Sequence, residues 1–299
     1  MRLNQIRDLI AVSEAGSLRA AARRIGISQP AMSKSLAELE REFQAQLLTR
    51  TSRGVALTAA GRAFVARARV VQGELRKVEE DLAALRGGTE GTVAFGIGPA
   101  LSLPLIPGAM ARFRAERPRA QVRIREGMRD ALLPLVRDET LDFSITEQRA
   151  DTTEPGLHFR LLFRLELFVA ARKGHRLARA TSLSDLSDAP WLVFYPPGSG
   201  SALEMAFDAA GLPPPNAVVH CESYVTALAL IARTDLLGLV PREIIEEPMA
   251  SRYIQCIPVR ETMLRPRIGL FTRADSPLSP TAALMMQALV SVARSRVRR

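Results

Sequence analysis

The first part of the chain alternates apolar and polar residues with the period of an α-helix. Residues 3–14 predict one helix, and a second lies between Ser17, a good N-cap residue, and Gly26, which ends it. A third helix follows at once, because Ser28 is again a good N-cap and Pro30 stands in the first turn, where a missing N–H costs little. Two helices joined by a short glycine turn, with a packing helix before them, form a helix-turn-helix pattern.

The third predicted helix has two contrasting faces. Its apolar residues share one side: Met32, Leu36, Leu39 and Phe43. Small and polar residues share the opposite side: Pro30, Ser33, Lys34 and Ala37. Such a side fits the DNA major groove and allows close approach to base edges. The alternative is an ordinary solvated helix face.

A short basic hairpin is expected after the third helix. Two extended stretches meet at Arg53-Gly54, within residues 50–57. A basic hairpin beside a recognition helix is a wing, and Arg53 at its tip is placed to reach phosphate or the minor groove. The alternative is a plain surface turn.

A long helix over residues 59–86 follows, capped by Thr58. Its apolar residues are spaced alternately by four and three: Phe64, Ala68, Val71, Leu75, Val78, Leu82 and Leu85. A sustained seam of this kind predicts pairing of two protomers, which would give the helix-turn-helix module its two half-sites. The alternative is packing of this helix on its own chain.

Beyond a glycine-rich joint at residues 87–91, predicted strands and helices alternate to the end of the chain. The strands are expected at 93–97, 122–124, 141–145, 161–171, 191–195, 217–221, 236–240, 253–258 and 267–272, with helices near 103–115, 129–138 and 224–233 and from 280. This alternation predicts open, parallel-rich α/β sheets. About 200 residues exceed what one small sheet needs, so we expect two subdomains.

Composition and charge narrow the classes of protein. Apolar residues make up 47% and charged residues 24%, which excludes a disordered chain, and there is no apolar run of membrane-spanning length. The N-terminus lacks the pattern of a signal peptide, so a cytoplasmic location is expected. The net charge of +10 is concentrated in residues 1–69, which contain twelve basic and five acidic residues, whereas residues 70–290 are nearly neutral. This segregation predicts a nucleic-acid-binding module joined to a domain with another task.

Residues 1–61 resemble the N-terminal module of LysR-type bacterial transcriptional regulators. The matching stretches lie at 20–24, 27–34, 36–40, 47–50 and 57–61. Residues 196–200 and 237–241 resemble, more loosely, recurring segments of that family's effector domain. The resemblance implies a sequence-specific regulator of transcription, not an enzyme. It also implies a homodimer or homotetramer that binds operator DNA, contacts RNA polymerase and responds to a small-molecule co-inducer.

The family resemblance also implies a domain plan. An all-α winged helix-turn-helix (1–58) and a dimerising linker helix (59–87) precede an α/β effector-binding domain (88–299) of two periplasmic-binding-protein-like subdomains, about 91–160 plus 267–299 and about 161–266. Gln29, Pro30, Ser33 and Lys34 would face the operator and Arg53 would be the wing contact. With Ser28 and Arg50 they form the predicted DNA-binding set, and Phe64, Val71, Leu75, Val78 and Leu82 form the predicted dimerisation set.

The co-inducer is expected between the two subdomains, where strand ends lead into helix N-termini. The predicted ligand-binding residues are Gly98, Ala100, Ser102, Met128, Thr146, Ser199, Ser201 and Ser223. Helix N-termini favour anions, so we expect a small organic anion such as an aromatic carboxylate or sulfonate. Family members often carry serine or threonine where Gly98 and Ala100 stand, so Ser199, Ser201 and Thr146 are preferred. The alternative role of these small hydroxyls is helix capping.

The sequence lacks complete motifs of the enzymes and metal sites that we considered. Residues 96–101 lack the third glycine of a dinucleotide loop, and residues 198–201 lack the spacing of a nucleophile elbow. His158, His175 and His220 lack metal-ligand spacing, so neither a metal nor a cofactor is expected. Cys221 and Cys256 lie in apolar stretches and are expected to be buried thiols, with a redox switch as the alternative. Two other functions stay open: a solute-binding or enzymatic α/β protein with an oligomerising N-terminal module, and a ligand-free architectural DNA binder.

Overall fold

The computed structural model describes residues 1–51, 54–86, 88, 90–149, 153–196 and 198–297. The chain divides into two compact units: Met1–Gly88 with Arg137–Thr140, and Thr89–Val136 with Leu141–Arg299. The division near residue 88 lies in the glycine-rich joint. The short segment Arg137–Thr140 belongs to the first unit, which the sequence pattern does not indicate.

The first unit contains the winged helix-turn-helix and the long helix. Its elements are α1 (Leu3–Ala15), α2 (Leu18–Ile25), α3 (Gln29–Phe43), β1 (Leu48–Thr51), β2 (Gly54–Leu57) and α4 (Ala59–Leu85). Local chemistry sets the turns between the helices. Gly16 and Gly26 end α1 and α2 with left-handed φ angles of 62° and 74°, and Ser17 Oγ accepts the N–H of Ala20 at 3.4 Å.

The core of the first unit joins all of these helices. Leu9, Met32 and Leu39 are fully buried, and Val65 and Ala68 of α4 pack against the same cluster. The antiparallel hairpin β1–β2 is tied to the turn after α1, since the N–H of Val55 donates to the carbonyl of Gly16 at 2.9 Å. The hairpin therefore lies against the helix-turn-helix, as a wing does.

The second unit contains two subdomains, the first built on a five-stranded sheet. Its strands are β3 (Thr92–Ile97), β4 (Gln121–Glu126), β5 (Phe143–Gln148), β6 (Leu157–Arg164) and β12 (Arg267–Arg273), and its helices are α5 (Pro99–Glu116), α6 (Arg129–Arg137) and α11 (Pro280–Val297). The strand order is β4-β3-β5-β12-β6, with β3 parallel to both neighbours and β12 antiparallel to both. Phe95, Phe113, Phe143 and Leu289 are among the fully buried side chains of its core.

The second subdomain is built on two smaller sheets. Its elements are β7 (Leu167–Arg172), a 3₁₀ turn (Leu183–Leu186), β8 (Trp191–Val193), α7 (Ala202–Ala209), β9 (Ala217–His220), α8 (Tyr224–Arg233), β10 (Gly238–Pro241), α9 (Arg242–Ile245), α10 (Pro248–Ser251) and β11 (Ile254–Ile257). Strand β7 lies between β10 and β11 and is antiparallel to both, while β8 and β9 are parallel. The rings of Trp191 and Phe207 meet edge to face, 5.7 Å apart, in the core.

Several sequence expectations need correction. The five-stranded sheet is mixed and the sheet β10-β7-β11 is wholly antiparallel, so the expectation of parallel-rich sheets is wrong. Alternation along a strand does not distinguish parallel from antiparallel pairing. The single apolar run expected at 161–171 is two strands in different sheets, β6 and β7, so the subdomain border near residue 160 falls inside β6. Helix α5 begins at Pro99 rather than near 103, since proline is favourable in a first turn. Thr146 lies within β5 rather than just past it.

Candidate functional site

The exposed face of α3 carries the predicted contacts to DNA. Gln29, Pro30, Ser33 and Lys34 are all exposed, whereas Met32 of the same helix is fully buried. Ser28 is exposed and caps the helix, because its Oγ accepts the N–H of Ala31 at 3.2 Å. The helix thus presents a small, polar surface with one cation, which is compatible with close approach to base edges in the major groove.

The wing adds a second basic position. Arg50 is exposed on β1, opposite Val55 of β2. Arg53, the predicted contact at the tip, lies outside the described residues. The N-terminal unit therefore offers Lys34 on the helix and Arg50 on the hairpin for contact with a polyanion.

The apolar seam of α4 divides into two parts. Phe64 packs into the core of the first unit, with its ring 5.1 Å from that of Phe43. The rest of the predicted dimerisation set is exposed: Val71 (42%), Leu75 (41%), Val78 (55%) and Leu82 (49%). A row of exposed aliphatic side chains on one long helix is the surface that a second copy would cover.

A cavity of about 350 Å³ lies between the two subdomains of the second unit. Its walls come from the connection between β3 and α5, from the ends of β5, β6 and β8, from the starts of α7 and α8, and from residues of β7, β10 and β12. Most of the lining is apolar, including Leu101, Leu167, Phe194 and Met205. A concave, mostly apolar cavity with a few polar groups is typical of a small-molecule site.

The structure brings six of the predicted ligand-binding residues together in the cavity lining: Gly98, Ala100, Met128, Thr146, Ser199 and Ser201. They come from four separate strand-to-helix connections or strand ends, as the topological argument expects. Gly98 precedes α5 without a side-chain cap, so no side chain of that position covers the start of this helix.

Ser102 and Ser223, the other two predicted residues, lie outside the described lining of the cavity. Ser102 Oγ donates to Glu126 Oε2 at 2.6 Å, because the early start of α5 places Ser102 inside the helix. Ser223 caps α8, and its Oγ accepts both the N–H and the hydroxyl of Thr226. Capping, the alternative role, accounts for Ser223.

The chain's own carboxylate occupies the N-terminus of α7. Glu204 accepts the N–H groups of Gly198 and Ser201, and Ser201 Oγ accepts the N–H of Glu204 in return. The loop is shaped for this by Gly198 and Gly200, whose φ angles of 80° and 70° are left-handed. Burial alone would raise the pKa of Glu204, but the backbone N–H groups outweigh it and the pKa is lowered. An external anion is therefore not needed at this helix.

Four arginines, none of them in the predicted set, line the cavity: Arg149, Arg164, Arg265 and Arg267. Arg149 pairs with Asp130 at 3.0 Å and Arg265 with Glu166 at 2.9 Å. Arg164 and Arg267 are neighbours in register on β6 and β12. Within the described part of the chain neither has a carboxylate partner, although Arg267 lies 5.3 Å above the ring of Phe159.

The signal that would have found these arginines is their position at the chain crossings. Arg164 ends the last strand before the second subdomain, and Arg267 begins the strand that returns to the first. Arg164 was missed because residues 161–171 were expected to form one strand, which hides the strand end at Arg164, and Arg267 was missed because it begins its strand instead of ending it. Two unneutralised guanidinium groups at a cavity wall favour a carboxylate, sulfonate or phosphate.

A hydrogen bond crosses the cavity from one subdomain to the other. The hydroxyl of Tyr195, just after β8, donates to Glu147 Oε2 of β5 at 3.1 Å. Burial raises the pKa of Glu147, against the lowering effect of this hydrogen bond and of Arg149. Burial and the nearby carboxylate also raise the pKa of Tyr195, which therefore remains a donor.

The histidines and cysteines take no part in this cavity. His158 and His220 are exposed, and buried His175 accepts the N–H of Leu177 at 3.1 Å. Within the described residues no group of histidine, cysteine, aspartate or glutamate side chains is arranged to hold a metal ion. The expectation of buried thiols is wrong: Cys221 is half-buried and Cys256 is exposed, because it points away from the core on an edge strand, β11.

A helix-turn-helix with a wing, joined to a two-subdomain α/β unit around a cavity, defines a class of ligand-responsive DNA-binding proteins. Residues 3–62 match the family described as "Bacterial regulatory helix-turn-helix protein, lysR family", and residues 86–294 match the family described as "LysR substrate binding domain". The chain belongs to the LysR family of transcriptional regulators.

Relatives and solved structures agree with this assignment. The HTH-type transcriptional regulator GbpR of Azospirillum brasilense is 28% identical, covering 100% of this chain and 89% of that protein. GalR of Pseudomonas putida is 30% identical, covering 96% and 73%. The SDS degradation transcriptional activation protein of a Pseudomonas species is 27% identical, covering 95% and 94%.

Among solved structures, the LysR-family regulator CbnR superimposes with a TM-score of 0.69 at 22% identity, covering 98% of this chain and 99% of that one. Full-length CbnR complexed with its target DNA gives a TM-score of 0.67 at 23% identity, covering 98% and 100%. These likenesses confirm the fold expected from the sequence. The helices of the described residues include none that is both long and apolar enough to cross a membrane.

Proposed function

We propose that this LysR-family regulator is controlled by a small organic anion that binds in the cavity between the two subdomains. The observation that carries the proposal is the pair Arg164 and Arg267 at the cavity wall, with no carboxylate to neutralise them among the described residues. Glu147 is the one carboxylate among the described lining residues, against four arginines, and it accepts the hydroxyl of Tyr195. The lining therefore has an excess of positive charge.

Size and polarity restrict the anion further. A volume of 350 Å³ corresponds to about a dozen water molecules, which suits a one-ring or two-ring acid. The lining is apolar around Leu101, Leu167 and Phe194, so the body of the ligand is apolar or aromatic. One relative is named for SDS degradation, and SDS likewise combines an anionic group with an apolar body.

The mechanism that we propose is a shift between populations of open and closed effector domains. A ligand that contacts both subdomains favours the closed form by its difference in affinity for the two forms. Paired protomers, joined along the exposed seam of α4, transmit the change to the DNA-binding modules and so to RNA polymerase. The DNA contacts would come from Ser28, Gln29, Pro30, Ser33, Lys34, Arg50 and Arg53.

The experiment is a thermal-shift and calorimetric screen of the full-length protein with matched probes. Benzoate and 1-naphthoate should raise the melting temperature, whereas benzyl alcohol and 1-naphthalenemethanol, which lack the charge, should not. Arg164→Ala and Arg267→Ala should each weaken carboxylate binding at least about tenfold. Arg160→Ala, on the same strand but outside the described cavity lining, is the control. Equal binding of the acids and the alcohols would reject the anion.

A further inference from the structure

A hydrogen bond between two side chains joins α3 to α1 in the first unit. The hydroxyl of Ser35 donates to Asp8 Oδ2 at 2.6 Å, and the exposed side chain of Arg7 pairs with Asp8 Oδ1 at 3.0 Å. Asp8 is 2% exposed and lies in α1 next to Leu9, a residue of the core. Both oxygens of a buried carboxylate are therefore engaged, one by a cation at the surface and the other by α3.

The contact between these two helices does not need a charge for its stability. Leu9 of α1 belongs to one apolar cluster with residues of α3, which are Met32, Leu36 and Leu39. Burial of apolar surface holds helices together but has no direction, whereas a hydrogen bond does. A carboxylate taken out of water costs free energy even when it is paired, and the best-attested use of such a group is to select one register among similar packings.

Ser35 follows directly on residues of α3 that are predicted to contact DNA, among them Ser33 and Lys34. Resting on the DNA contacts of α3 proposed above, we propose that the bond between Asp8 and Ser35 fixes the rotation of α3 about its axis and so determines how sharply the protein distinguishes base pairs. Side-chain tips lie about 5–6 Å from a helix axis, so a rotation of about 10° moves them by about 1 Å. Asp8 is a positioning residue, since it is buried in α1 and acts through Ser35.

Two kinds of DNA contact respond differently to such a rotation. Hydrogen bonds to base edges need a donor and an acceptor in line and within about 3.2 Å, so they weaken when the helix turns. The attraction between a cation and phosphate changes slowly with distance. Loss of the bond should therefore lower discrimination between DNA sequences, with little change in the salt dependence of binding.

The test measures binding of the full-length protein, by fluorescence anisotropy, to a duplex selected from a random library and to the same duplex with single base pairs replaced. Ser35→Ala and Asp8→Ala should each lower discrimination between these duplexes about fivefold and leave the slope of log affinity against log salt concentration unchanged. The double variant should lose no more than either single variant, because both substitutions remove one bond. Ser35→Thr keeps the hydroxyl and should keep the discrimination. The control is Ser13→Ala, which removes a hydroxyl that donates to the carbonyl of Ile10 within α1 and should have no effect.

The outcomes separate the role of this bond from the DNA contacts on which it rests. Unchanged discrimination in Asp8→Ala would overturn the role, even beside a loss in Ser35→Ala, because Ser35 would then contact a base itself. Equal losses in Ser35→Thr and Ser35→Ala, additive losses in the double variant, or a lower melting temperature with unchanged discrimination would also overturn it. If Lys34→Ala leaves DNA binding unchanged, the proposed surface of α3 is wrong, and the role of Asp8 falls with it.

Discussion

The surface of α3 that is predicted to contact DNA and the cavity of the second unit differ in how their residues are brought together. Gln29 to Lys34 are neighbours in the chain, and a single helix turns them outward while Met32 points into the core. The cavity lining extends from Gly98 to Ile268, so residues that are neighbours in space come from strands that are far apart in the sequence. A helix surface therefore tolerates change at one position, whereas a cavity wall depends on the register of two subdomains.

The difference predicts that each unit can lose its own task separately. Leu39→Ala, at a fully buried position of the first unit, should cost about 2–5 kcal/mol and abolish DNA binding. Binding of 1-naphthoate, if the anion site is correct, should survive. Leu105→Ala, in the core of the first subdomain, should do the reverse. Calorimetry measures binding of the acid and a gel shift measures binding of DNA. Loss of both activities in either variant would contradict the prediction that the two units are stabilised separately.

Pairing along α4 can be broken without harm to either unit. Val78→Asp places a carboxylate in the exposed seam of each protomer, and the two facing charges should weaken the dimer about 100-fold or more. The measurement is light scattering after size exclusion, with circular dichroism to show that the fold is kept. Ala66→Asp, exposed on the side of the same helix that faces away from the seam, is the control. An unchanged dimer would reject the seam.

Single positions on α3 should affect DNA binding alone. Lys34→Ala should weaken binding to a duplex selected from a random library. If Lys34 contacts phosphate, the slope of log affinity against log salt concentration should also become shallower by about one. Loss of preference among sequences would instead indicate contact with a base. Arg41→Ala, exposed in the last turn of the same helix, should leave both quantities unchanged. An equal effect of the two variants would point to general charge rather than a specific surface.

The smallest expected effect is on the pH dependence of stability, through the hydrogen bond from Tyr195 to Glu147 across the cavity. The raised pKa of Glu147 means that the folded chain keeps a proton which the unfolded chain loses above about pH 4.5. The stability from this group is thus full below that pH and is lost as the pH rises through the folded pKa. Glu147→Gln should therefore gain melting temperature relative to wild type as the pH rises through that window. Glu222→Gln, at an exposed carboxyl, should not, and parallel curves for Glu147→Gln would contradict the assignment.

Local patterns predicted the N-terminal unit well. Caps at Ser17 and Ser28, glycine ends, and apolar spacing in α3 and α4 are properties of neighbouring residues, so the helices follow from the sequence. The same patterns placed most strands of the second unit but not their pairing. The split of 161–171 into β6 and β7 depends on contacts with distant strands, which alternation does not record.

The sequence by itself determined the family, the helix predicted to contact DNA, the apolar seam of α4 and the strand ends where a ligand is expected. The tertiary structure decided which groups the cavity contains. It brought Arg164 beside Arg267, joined Tyr195 to Glu147, and filled the N-terminus of α7 with Glu204. The physical reason is range: helix periods and caps act over a few residues, whereas a cavity is set by sheet register and by where the chain crosses between subdomains.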